Sequence, residues 1–261
     1  MRDTAGERVR SLKNDVADQK EASSEAGELG RALALASDIR YEQTRVLDVP
    51  AESLPDRRVI ALQAGAAARR YKVLRAQVLA KLRQERWNSL IVTGPTRGSG
   101  ATMTAVNLAV TLALDVNQTV LLVDLDLRAP SVREYFTDEP VPGIADYLID
   151  GRLPKLLFNP GIERLVVLPG SEPLQKSSEL LGAPAMVELI EEMKGRYPSR
   201  ILIFDMPPVL DGDDVLTVAP RVDSVLLVAR DGWTSQAELE KSFQLLHQTP
   251  VVGTVLNAVP D

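Results

Sequence analysis

Beyond Trp87 the chain runs in blocks, with strand-length apolar stretches SLIVTG, TVLLVDLD, RLVVLPG, RILIFDMPP, DSVLLVA and VVGTVLN separated by helix-length segments. Apolar runs without polar alternation need cover on both faces. The pattern therefore predicts an α/β fold, a mostly parallel sheet with helices on both faces. From Ala66 to Arg86, Tyr71, Leu74, Val78 and Leu82 recur at helical spacing among Arg69, Arg70, Lys72, Arg75, Lys81, Arg83 and Arg86. This spacing predicts an amphipathic basic helix over 66–86, either packed on the core with a solvated charged face or offering that face to a partner. Residues 1–60 alternate charged and small residues, with Gly27, Gly30, Pro50 and Pro55 and only patchy helical spacing at Val9, Leu12 and Val16. They read as a partly helical or mobile N-terminal arm, leaving 61–261 as the main domain.

Composition narrows the function classes. A chain of 261 residues, 45% hydrophobic and 25% charged, can bury one full α/β core. The net charge of −6 gives no global attraction to nucleic acid, so no nucleic-acid partner is expected. Cysteine is absent, which excludes thiolate metal sites, and His247, the single histidine, reads as a surface or helix-end residue. The charged N-terminus carries no apolar signal core and the longest apolar runs are strand-sized, so a cytoplasmic chain is expected, with any membrane association supplied by a partner.

Three segments carry chemistry. The strand Leu90 to Thr93 runs into GPTRGSGAT and then the apolar TAVNLAVTLAL, so a small-residue loop lies between strand and helix. Such a loop can wrap a phosphate with backbone N–H groups beside the helix N-terminus, and Thr96, Arg97, Gly98, Ser99, Gly100, Ala101, Thr102 and Met103 are the candidates. A complete Walker A loop ends Gly-Lys-Ser/Thr, whereas Gly100 is followed here by Ala101 and Thr102. Alone, the loop fits a plain glycine-rich turn as well as a phosphate site. VLLVDLDLR then brings Asp124 and Asp126 to the sheet edge where open α/β sheets bind ligands. Two carboxylates there can hold Mg²⁺ or take a proton, or they form a charged strand-exit turn. ILIFDMPPV delivers Asp205 in the form of a Walker B aspartate, with Pro207 and Pro208 stopping the strand.

The loop, VDLDLR and FDMPP, in that order, resemble Walker A, Walker A′ and Walker B of the bacterial tyrosine kinases of polysaccharide export. NLAVTLA, APSVREYF, GIADYL, LPGSEPLQKSSELL and GTVLN extend the resemblance over most of Trp87 to Asn257. It implies a P-loop NTPase fold, use of ATP/ADP and Mg²⁺, and transfer of the γ-phosphate to tyrosines in control of capsule or exopolysaccharide polymerisation. It also implies a partner, the cytoplasmic segment of a membrane chain-length regulator (a polysaccharide co-polymerase), which would recruit the chain to the inner face of the membrane. Carried onto this sequence, Asp124 becomes the hydroxyl-activating carboxylate, Asp126 and Asp205 position the metal, and Thr102 ligates it. Asn257 falls where related domains contact adenine, or it caps a strand-end turn.

Three departures qualify that expectation. Ala101 removes the phosphate-gripping lysine, so the expected activity is impaired; intact Thr102, Asp124, Asp126 and Asp205 favour a lysine-to-alanine change over a drifting paralogue. The family's tyrosine cluster is missing after VLNAVPD, which leaves Tyr41 as the candidate acceptor and raises removal of a tail. The family's ring-forming Glu-x-x-Arg-x-x-Arg aligns with Arg69, Lys72 and Arg75, so a homo-oligomer through helix 66–86 lacks its acidic partner. Two other functions fit the same motifs: a non-catalytic nucleotide-binding scaffold, and a partitioning-type ATPase, whose signature lysine PTRGSG lacks.

Overall fold

A computed structural model of the chain describes residues 44–150, 156–174, 176–196 and 199–259, without the side chains of 148–150. Eight strands form one sheet: β1 (Arg45–Val46), β2 (Ser89–Thr93), β3 (Thr119–Asp124), β4 (Phe158–Asn159), β5 (Leu165–Leu168), β6 (Arg200–Asp205), β7 (Ser224–Arg230) and β8 (Val251–Asn257). Their order is β1-β4-β5-β3-β6-β2-β7-β8, parallel throughout except where β4 meets β5. The α-helices are α1 (Ala66–Glu85), α2 (Ala101–Ala113), α3 (Ile144–Asp150), α4 (Ser177–Leu181), α5 (Pro184–Arg196), α6 (Asp214–Val218) and α7 (Gln236–Leu245).

The block pattern of the sequence has its cause in two cores. Side chains alternate across a strand, so Leu90, Val92, Val120, Leu122, Ile201 and Ile203 enter a core shared with α1 and α2. Ile91, Leu121, Val123, Leu202 and Phe204 enter a second core with Met186, Leu189 and Ile190 of α5. Both registers are fully apolar, which hides the period of two.

The basic helix forms as predicted, ending one residue earlier. Arg86 closes it in the left-handed conformation at φ 59°, its N–H on the carbonyls of Leu82 and Arg83. Val78, Leu79 and Leu82 are buried and Tyr71 and Leu74 pack beside them, while Arg69 and Lys72 face solvent. Arg75 is turned back onto α2, donating to the Thr111 carbonyl at 3.2 Å. His247 lies exposed just past α7.

The stretch 44–60, assigned to the arm by composition, packs on the domain. Val46 of β1 pairs in register with Asn159, and Leu47, Leu54 and Val59 are buried in the α1/α2 core. The pin is Asn107, fully buried in α2. Its Oδ1 accepts from Ile60 N at 2.8 Å and Ala61 N at 3.0 Å, and its Nδ2 donates to the carbonyls of Arg58 at 3.0 Å and Met103 at 2.9 Å. Residues 1–43, Tyr41 among them, lie outside the described residues.

Candidate nucleotide and metal site

Strands β3, β6 and β2 are neighbours, so their C-terminal ends deliver the three predicted motifs side by side. Asp124 and Asp205 are register partners, the last residues of β3 and β6. By strand parity both carboxylates project to the α2 face, since Leu122 and Ile203, two residues earlier on the same strands, enter the core that α2 covers. That is the face where Thr102 opens its helix.

The loop is built for close approach. Gly98 and Gly100 sit at φ 84° and 88°, the left-handed region that favours glycine. A Cβ on Gly100 would lie 2.0 Å from Asn257 Nδ2. No side chain caps the start of α2, so its first amides remain available to an anion. The Pro207–Pro208 turn steadies the loop: Thr93 Oγ1 donates to the Pro207 carbonyl at 2.6 Å and Val209 N to the Gly94 carbonyl at 2.9 Å. Against the loop lies a cavity of about 370 Å³, lined by Thr96 to Met103 together with Asp126, Tyr135, Met206 and Pro208.

The carboxylates differ in what they hold. Asp124 is fully buried and receives Ser131 N and Val132 N on Oδ2, each at 2.9 Å, and Asp126 N on Oδ1 at 3.2 Å. Burial pushes its pKa up to about 7, those amides lowering it and the Asp126 charge raising it. Asp205 is also fully buried, yet neither carboxylate oxygen has a partner of hydrogen-bonding geometry. Burial first, then the Asp124 charge, raise its pKa well above the usual range; the nearby Thr102 hydroxyl opposes them. An orphaned buried carboxylate beside a second one is an environment that a bound cation would stabilise. The residues therefore fit a divalent ion held by Asp205 and Thr102 on the Asp124 side. Among the described residues no three His, Cys, Asp or Glu side chains converge as a self-sufficient cage. Mg²⁺ suits such a site, since it takes few protein ligands and completes its shell with water and phosphate oxygens.

Asp126 does not continue the strand. β3 ends at Asp124, and Asp126 turns into the cavity mouth, accepting from Ala129 N at 3.1 Å. Burial raises its pKa, while Arg97 opposes that rise from 3.8 Å away. Asn257 is drawn to the loop: its Nδ2 donates to the Ser99 carbonyl at 3.0 Å and its Oδ1 accepts from Ala258 N at 2.8 Å. Both ends of its amide are thus engaged with the chain. Sequence reasoning missed Arg230 and Trp233, which flank the loop; Arg230 lies over the indole at 5.4 Å and donates to the Gly98 carbonyl at 3.4 Å. Trp233 is 62% exposed, and an aromatic in the polar stretch DGWTS was the signal available.

Comparison with known proteins gives a consistent answer. No family model matches the chain. The putative tyrosine-protein kinase EpsB of Ralstonia nicotianae is 35% identical over 188 residues, 67% of this chain and 24% of that protein. The chain thus spans about a quarter of the length of that relative. The kinase domain of the Escherichia coli tyrosine kinase ETK superposes with a TM-score of 0.72 at 29% identity, covering 83% of each chain. The septum site-determining protein MinD of Pyrococcus horikoshii, solved with Mg-ADP, shares the fold at 21% identity and a TM-score of 0.52, covering 64% of this chain and 68% of its own.

Proposed function

Because the chain belongs to the bacterial tyrosine-kinase family, we propose that its domain binds ATP or ADP with Mg²⁺ and supports phosphoryl transfer to tyrosine in exopolysaccharide or capsule production. The observation that carries this is the registered pair Asp124 and Asp205 beneath an uncapped helix N-terminus. Loop amides bind phosphate, and the orphaned Asp205 with Thr102 holds the ion. A bound magnesium ion would neutralise charge on the phosphates. Asp124, its pKa raised to about 7 and its carboxylate fixed by three backbone amides, is placed to accept the proton of an acceptor hydroxyl. Asp126 at the cavity mouth orients groups entering beside it.

Ala101 sets the level of activity, since its methyl group offers neither a hydrogen bond nor charge. Loss of one such stabilising donor costs roughly 10² to 10³ in rate. The partner of this reading is the cytoplasmic segment of a membrane chain-length regulator, which would recruit the chain to the membrane. Among the described residues no helix is long and apolar enough to cross one. Self-association through α1 would need an acidic surface opposite the exposed Arg69 and Lys72.

The test places a lysine in the loop. The Ala101→Lys chain, given ATP, Mg²⁺ and an acceptor tyrosine, should form phosphotyrosine about 10² to 10³ times faster than the parent. Silence from a variant that binds ATP would sink the kinase reading and leave the second one, a nucleotide-binding scaffold, which Ala101 itself favours.

A further inference from the structure

The cavity that should receive a polyanion has an uneven charge distribution. Asp126 lines it, the fully buried Asp124 and Asp205 end the strands next to the loop, and Ala101 supplies no cation. Among the described residues lining it, one is positively charged: Arg97, four positions before Ala101 in the same loop. Its guanidinium reaches across the mouth, with Nη1 3.8 Å from Asp126 Oδ2 and Nε 3.2 Å from Asp211 Oδ2. Three neighbouring arginines have other partners. Arg58 faces the Tyr135 phenol. Arg128 binds Ser177 Oγ at 2.7 Å and Asp214 Oδ2 at 2.8 Å, and Arg230 stacks on Trp233 and also donates to the Gly98 carbonyl.

Resting on the nucleotide-site reading, we propose that Arg97 is the loop's phosphate-binding cation, standing in for the absent lysine at position 101. Its present ion pairs do not oppose this. Arg97 is 54% exposed, and exposed ion pairs of this kind are weak, so the guanidinium leaves them readily. A polyphosphate within the loop offers a stronger partner than either carboxylate, because its total negative charge is larger and it too accepts a guanidinium through paired hydrogen bonds. Asp126 and Asp211 hold the side chain over the mouth until a phosphate arrives.

Calorimetry on the full chain with ADP and ATP in the presence of Mg²⁺ decides the matter, in four proteins: the parent, Arg97→Ala, Ala101→Lys and the double variant. In the parent background Arg97→Ala should weaken both nucleotides by roughly tenfold to a hundredfold, the range of a lost charge-assisted bond. In the Ala101→Lys background the same change should cost less than about threefold, because the lysine has taken over the contact. Arg97→Lys should retain part of the affinity, and thermal melts should show all the proteins folded, since the Arg97 side chain is exposed. Parent binding that is indifferent to Arg97→Ala would overturn the proposal alone. So would an equal loss in both backgrounds, which would make Arg97 a support for loop shape instead. If neither the parent nor Ala101→Lys binds nucleotide, the nucleotide-site reading itself falls and takes this inference with it.

Discussion

At the scale of single residues, Asp124 and Asp205 are two buried carboxyls that both titrate above their ordinary range. In the unfolded chain both carboxyls ionise near 3.8, whereas burial lifts Asp124 to about 7 and Asp205 well above its ordinary range. The folded protein therefore holds more protons than the unfolded chain between those limits. The stability this confers is complete below the unfolded pKa and is lost as pH rises through the folded one. In a chelating buffer, thermal stability should fall as pH goes from about 5 to about 8, by an amount on the order of 2–4 kcal/mol. Asp205→Asn should flatten that slope, and Mg²⁺ should restore stability to the parent but not to the variant. Thermal melts across pH check this; parallel slopes for the two proteins would contradict it.

At the scale of elements, the strap formed by residues 58–61 depends on one side chain in α2. Asn107 satisfies all of its amide hydrogen-bonding groups on that strap and on its own helix. Asn107→Leu strands two backbone donors at buried or part-buried positions, and should cost about 2–4 kcal/mol, measured by urea unfolding. Leu54→Ala, which leaves a void in the core shared with α1 and α2, should cost about 2–5 kcal/mol by the same measurement. The strap also marks the limit of what was legible. The apolar strands and the basic helix announced themselves because each repeats one chemical feature many times. Leu47, Leu54 and Val59 are isolated anchors in a polar stretch, without a period to betray them. The site divides in the same way. Gly98, Gly100, Asp124 and Asp205 were visible because strand ends and loops have sequence signatures. The turn of Asp126 towards Arg97, the orphaned oxygens of Asp205 and the tether from Asn257 are tertiary events between strands distant in sequence.

At the scale of the whole molecule, a ligand that binds only the folded chain must raise the stability of the entire domain. ADP with Mg²⁺ at about a hundred times its dissociation constant should add about 2.7 kcal/mol and shift the melting temperature upward with concentration. A melting temperature unmoved at every concentration would argue against the nucleotide site. Trp233, exposed beside Gly98, gives the same titration a fluorescence signal. The bond from Asn257 to Ser99 joins residues 158 positions apart, and it clasps the first motif of the domain with the end of its last strand. During synthesis the ribosome completes the loop long before it completes β8. A nascent chain halted before Val251 would carry the whole loop and yet lack the clasp. The loop's final shape thus waits on the last strand, although the loop itself is complete early in translation.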